Sequence, residues 1–129
     1  MEGSLKLKEI SYIHAETYAA GELKHGTISL IEKNTPVISI VTKDSISEKT
    51  ISNIKEVKAR GAYVILLVSD KLDKDYDCYD KKIVVNTIHS IFQPLVNVIP
   101  LQKLAYEVAK LRGCDIDKPR NLAKSVPVE

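Results

Sequence analysis

The middle of the chain carries the clearest alternation of apolar and polar positions. Pro36 to Val41 is a short β-branched run after the turn-like Lys33, Asn34 and Thr35, which predicts a buried strand. Ser45 to Glu48 then reads as a capping box, in which Ser45 and Glu48 would satisfy free backbone N–H groups at a helix start. Ile51, Ile54 and Val57 follow at helical spacing with charges on the other face. Gly61 sits where a helix ends in the left-handed conformation. Ala62 to Val68 resumes as an unbroken apolar strand, the pattern of a parallel strand covered on both faces. Together these predict a β-α-β unit.

Ser69 to Lys81 is polar and acidic and reads as a loop, and Lys82 to Asn86 as a third short strand. A longer helix is predicted from near Pro94. Leu95, Val98, Leu101, Leu104, Ala105, Val108 and Leu111 give it a broad apolar face, and Gly113 ends it. Pro100 lies inside and should kink or split it. Leu5, Leu7, Ile10, Tyr12 and Ile13 predict a helix at the start, beginning at Met1 without a cap, as if the chain were cut from something longer. Thr17 to Gly26 suits a second short helix or a functional loop. From Cys114 to Glu129 there are two prolines, several charges and little periodicity, so pattern alone makes this a disordered end.

Length and composition fit one ordinary globular domain: 129 residues bury roughly two-thirds of the unfolded surface. The net charge of +2 is too balanced for a nucleic-acid or membrane-surface footprint. Ala62 to Val68 is the longest apolar run, far short of the roughly 18 residues a membrane span needs, and the N-terminus lacks a signal-peptide stretch. A cytoplasmic protein is therefore expected, with Cys78 and Cys114 as free thiols. His14, His25 and His89 are scattered and no Cys/His cluster has zinc spacing, so neither a metal nor a cofactor is expected.

General motifs of phosphate loops, dinucleotide folds, zinc proteases and serine hydrolases are missing. His14 and Glu16 have deaminase-like H-x-E lettering without the P-C-x-x-C partner. What remains is Lys6, Glu9, His25 and Lys124. By spacing, Lys6 and Glu9 are i and i+3 on one helix face and read as a solvated ion pair worth a few tenths of a kcal/mol. On the same basis His25 is a surface or hydrogen-bonded structural histidine, and Lys124 a plain tail lysine. Composition lifts none of them.

Two segments change those readings. The run from Glu2 to Gly26, EGSLKLKEISYIHAETYAAGELKHG, resembles the opening of the second sugar isomerase (SIS) subdomain in the glucosamine-6-phosphate synthase family, also called glutamine–fructose-6-phosphate aminotransferases (isomerising). The C-terminal run from Asp115 to Glu129, DIDKPRNLAKSVPVE, is similar to that family's ending, with Pro127 in place of the usual threonine. Other SIS proteins share the architecture but generally not this ending.

The resemblance implies an α/β fold: a single SIS-type doubly wound subdomain over 1–129, with a central, largely parallel sheet flanked by helices. It turns residues 114–129 into an irregular C-terminal catalytic tail that must fold back over a site. It also implies a reaction, in which fructose 6-phosphate and glutamine give glucosamine 6-phosphate and glutamate. Lys124 resembles the lysine that forms a Schiff base with the open-chain ketose, where an iminium makes the neighbouring C–H more acidic. Glu9 resembles the general base that moves a proton between C1 and C2; a carboxylate does this reversibly where burial brings its pKa towards neutrality. His25 resembles the histidine that assists ring opening from the neighbouring subunit, and Lys6 a lysine beside the base that assists proton traffic or steadies developing negative charge.

The family's phosphate pocket, a serine- and threonine-rich loop of the first SIS subdomain, has no counterpart here, since Ser45 to Ser47 reads as a cap. A glutaminase domain is missing too, because Met1 and Glu2 supply no cysteine nucleophile. The expected partners are therefore sugar phosphates, the first SIS subdomain and glutaminase domain of a full enzyme, and a second copy in a homodimer, with no nucleic acid and no membrane. Alone, the chain is expected to be inactive. Two other readings stand beside this one: a non-catalytic sugar-phosphate-binding module and a dimerisation module.

Overall fold

A computed structural model describes residues 1–120. In chain order it forms α1 (Glu2–Ser11), β1 (Pro36–Val41), α2 (Ser47–Ala59), β2 (Tyr63–Ser69), β3 (Lys81–Val85) and α3 (Gln93–Leu111), with short 3-10 turns between them. The chain divides into two compact units, one of Tyr18–Asn97 and one of Met1–Thr17 with the chain from Val98 onward.

The continuous unit is built on three strands in the order β1-β2-β3, and both pairings are parallel. The predicted β-α-β unit is β1-α2-β2, and the predicted third strand is β3. In β2 every residue from Leu66 to Ser69 is buried, as its unbroken apolar run requires of a central parallel strand. Val64, Leu66 and Val68 join Val41 of β1 and Ile51, Ile54 and Val57 of α2 in one core with Cys78. On the opposite face of the sheet Leu67 and Ser69 are buried as well. Gly61, at φ 91°, ends α2 as predicted; a Cβ there would meet Lys33 Cα at 3.2 Å, so only glycine fits both the dihedral and the space.

The predicted capping box does not form. Asp44–Ile46 is a 3-10 turn that leads into α2, and the first residue outside the helix is Ile46. That turn supplies carbonyls of its own: Ile46 N–H donates to Lys43 O and Ser47 N–H to Asp44 O, so these amides need no side-chain cap.

Polar side chains secure the sheet. Gln93, 5% exposed, donates from Nε2 to Asn86 O and Asn97 Oδ1 and accepts the Ile88 N–H at Oε1, and Asn97 donates onward to Thr42 Oγ1. Asp80 accepts Lys58 Nζ at 2.6 Å and the Val64 N–H at 2.7 Å, tying α2, β2 and the approach to β3. These two donors, Lys58 first, hold the Asp80 carboxyl below the ordinary carboxylate value, and Thr87 does the same for Asp70 through its hydroxyl and its N–H. A carboxylate whose folded pKa is depressed stabilises above its unfolded pKa of about 3.9 and loses that contribution as pH falls through the folded value. The thermal midpoint should therefore hold from neutral pH down to about 5 and drop below about 4. Asp80→Asn should flatten that drop, measured by circular dichroism melts; an unchanged acid limb in the variant would remove Asp80 from the account.

In the second unit, α3 ends as predicted at Gly113, where Gly113 N–H bonds Lys110 O and Cys114 N–H bonds Ala109 O. Pro100 does not split it; the helix is one run from Gln93 to Leu111. Of the predicted apolar face, Ala105 is buried, but Leu95 is 64% and Leu111 87% exposed. At 100° per residue Leu111 projects roughly 120° from Ala105, off the seam that Ala105 and the buried Ala109 define, whereas Leu95 lies only roughly 40° from Ala109 and is exposed in the first turn of the helix. Gly3 in α1 is where that helix crosses α3, since a Cβ there would stand 2.9 Å from Leu101 Cβ and Cδ1.

Candidate active site

The first turn of α1 has no side-chain cap, as predicted, but an acidic Glu2 stands at the positive end of the helix and a basic Lys8 at its other end. Lys6 and Glu9 fall on one face, and Lys6 Nζ donates to Glu9 Oε2 at 2.7 Å, with Glu2 3.5 Å away on the other side. Both side chains are about one-third exposed. The hydrogen bond from Lys6 to the Glu9 carboxylate, opposed only in part by desolvation, raises the Lys6 ammonium above its ordinary value. Lys6 is therefore a cation at neutral pH, fit to donate a hydrogen bond and to neutralise charge, and unfit as a nucleophile or base.

The predicted opening helix stops short of its expected end. Tyr12 turns left-handed at φ 55°, and its N–H closes back on Leu7 O. Ser11, fully buried, donates its hydroxyl to Leu7 O, and Ser4 donates to Ala15 O, folding the segment after the helix back along it. The Tyr12 hydroxyl accepts the backbone N–H of Arg120 at 2.8 Å, while the Arg120 guanidinium lies 4.3 Å over the Tyr12 ring. Between α3 and Arg120 the chain is compact, with Asp115 Oδ1 accepting the N–H groups of Asp117 and Lys118. Sequence pattern puts Tyr12 on the apolar stripe of a helix and gives no sign of Arg120; a contact across 108 positions has no local periodicity.

His25 belongs to the continuous unit. It closes a 3-10 turn over Leu23–His25, is exposed, and donates its N–H to Glu22 O. Its neighbour Lys24 is tied to Glu56 of α2 at 3.0 Å, which fixes this turn to the helix. Gly26 follows at φ 143°. Lys124 lies outside the described residues, as does the rest of the proposed tail beyond Arg120. Of the four candidates the structure brings Lys6 and Glu9 together. Among the described residues no group of His, Cys, Asp or Glu could hold a metal ion, and no helix is long and apolar enough to cross a membrane. Cys78 and Cys114 are free, and burial pushes the Cys78 thiol up, so it stays protonated.

Residues 1–112 match the SIS domain family. Over 129 residues, all of this chain, it is 55% identical to the glutamine–fructose-6-phosphate aminotransferase (isomerising) of Caldanaerobacter subterraneus subsp. tengcongensis, of which it covers 21%. It is 54% identical over 128 residues to the enzyme of that name from Thermus thermophilus, again covering 21%. The chain thus spans about a fifth of the length of the curated relatives it matches. Among solved structures it resembles the C-terminal domain of glucosamine-fructose-6-phosphate aminotransferase from Francisella tularensis, with a TM-score of 0.83 and 46% identity over 90% of this chain and 33% of that one. It also resembles a glucosamine-6-phosphate deaminase from Thermotoga maritima, with a TM-score of 0.70 and 26% identity over 96% of this chain and 35% of that one.

Proposed function

The chain belongs to the SIS domain family, and from that premise we propose that it is the second half of the isomerase module of a cytoplasmic, homodimeric glutamine–fructose-6-phosphate aminotransferase. In that reading it works on fructose 6-phosphate within an enzyme whose other domains release ammonia from glutamine and hold the sugar phosphate. The observation that carries it is identity above one half along the entire chain with relatives of that name.

The chemistry assigns one task to each residue. The Lys124 amine adds to the C2 carbonyl of the open-chain sugar and water leaves, giving an imine. Once protonated, that imine draws electrons from its neighbour and makes the C1 proton removable. Ammonia from the glutaminase domain displaces the Lys124 amine from that imine, and Glu9 takes the C1 proton and returns it at C2, so that the amino group stays on C2, C1 becomes the aldehyde and the lysine is free again. Lys6, held as a cation by Glu9, limits the charge that builds on the sugar and the base. His25 serves ring opening in the site of a neighbouring subunit, a task its exposure permits.

A chimera tests this. In the Thermus thermophilus enzyme the segment that matches this chain is replaced by the chain itself, and glucosamine 6-phosphate is measured from fructose 6-phosphate and glutamine. Turnover is expected, and Lys124→Ala should abolish it together with the sugar adduct that cyanoborohydride traps on Lys124. A folded chimera that binds fructose 6-phosphate without turnover would leave a binding module instead, and one that only dimerises would leave a scaffold.

A further inference from the structure

We infer that Gly26 is a positioning residue for His25: its backbone conformation, open only to glycine, reverses the chain so that the imidazole stands clear of its own unit. The inference rests on the functional reading of His25 given above.

Three observations carry it. His25 is bracketed by apolar plugs: Leu23 before it and Ile28 after it both pack against the core, while His25 and Gly26 between them are exposed. Gly26 joins two 3-10 turns, ending the one over Leu23–His25 and starting the one over Thr27–Leu30, at φ 143° and ψ −53°. Its carbonyl accepts the Ser29 N–H at 3.0 Å and the Ser29 hydroxyl at 2.6 Å, which fixes that peptide. From the side, Lys24 ties the first turn to Glu56 of α2 at 3.0 Å.

These holds differ in strength. A residue with a Cβ is strained at the φ of Gly26, and strain of that kind shifts a local equilibrium by about 5- to 150-fold. The Lys24–Glu56 pair is well exposed on both sides, and such pairs are worth about fivefold at most. The need for glycine is one of dihedral alone, since nothing lies within 4 Å of the place a Cβ would take. Gly21, earlier in the same segment, has equally open surroundings and no positive φ, so alanine at the two positions separates strain from bulk. Ring opening of fructose 6-phosphate breaks the C2–O5 bond, takes the proton of the C2 hydroxyl and returns one to O5. An imidazole does that work only from within hydrogen-bond reach, and a loose turn would carry it out of reach.

The test uses the 129-residue chain and the chimera in parallel. In the chain, trypsin cleavage of the Lys24–His25 bond is timed by mass spectrometry, a rate that follows the open population of the turn. Gly26→Ala should raise it about tenfold, Glu56→Gln by less than about fivefold, and Gly21→Ala should leave it unchanged. In the chimera Gly26→Ala should lower kcat on fructose 6-phosphate about tenfold, with KM unchanged. The same variant should keep the parent rate on 5-deoxyfructose 6-phosphate, which lacks O5 and so cannot close the ring. A merely structural loss would slow both substrates alike. Equal cleavage of the Gly26→Ala and Gly21→Ala chains, or equal slowing of the two substrates, overturns the positioning role. A parent chimera without turnover, or one that His25→Ala leaves at full rate, overturns the functional reading of His25, and the cleavage rates decide the hold of Gly26 on the turn by themselves.

Discussion

Glutamine in place of Glu9 should cut formation of glucosamine 6-phosphate in the chimera by about 10²- to 10⁴-fold, the usual contribution of a positioned acid–base group. The change keeps the shape of the side chain and its oxygen for Lys6, so an effect of this size cannot come from packing. If the pair at 2.7 Å were only a surface ion pair, its loss would cost a few tenths of a kcal/mol of helix stability and leave turnover alone. The two accounts differ by orders of magnitude in one assay. Solvent-isotope exchange at C1 gives the second reading, since it requires removal of the C1 proton and should disappear with the carboxylate. A loss below about threefold in a folded chimera, set against that expected range, would return Glu9 to the role its spacing alone suggests.

Leu66→Ala should destabilise the chain by about 3–4 kcal/mol, read from urea unfolding. Leu66 has no exposed surface and lies in the middle strand, opposite Ser39 on one side and Lys82 on the other. Neither neighbouring strand can close on the gap without giving up its ladder, so most of the cavity should persist. Against the roughly 5–15 kcal/mol that holds a domain of this size, that is a large share. Leu111→Ala is the control: at 87% exposure the same truncation should change stability by less than about 0.5 kcal/mol. Equal losses at the two positions would mean that the core is not organised around β2.

The sheet was legible because its code is local. A seven-residue apolar run, a helical stripe of Ile51, Ile54 and Val57, and the glycines that end α2 and α3 each report on neighbours a few residues away. The capping box failed because the same four letters serve a 3-10 lead-in equally well, and the residue before the helix is Ile46, one beyond the predicted cap. Leu111 misled because a count of apolar residues does not say which side of a helix the seam follows. In the site, spacing alone gave the Lys6–Glu9 pair but no role for it; the roles came from resemblance to a family. Tyr12 and Arg120 could not be paired from sequence, since nothing near either residue refers to the other.

The division of the chain has a consequence for its synthesis. The unit of Tyr18–Asn97 is one continuous stretch with its own sheet and core. The other joins the first seventeen residues to those from Val98 onward. During synthesis α1 has no Leu101 for Gly3 to meet until more than eighty further residues have been made. Closing a loop of that length costs about 4 kcal/mol beyond a constant, against which a ten-residue helix alone sets little. The element that carries Lys6 and Glu9 therefore waits longest for its support. A chain that stops before α3 has the strands of its sheet but leaves Gly3 of α1 without its partner.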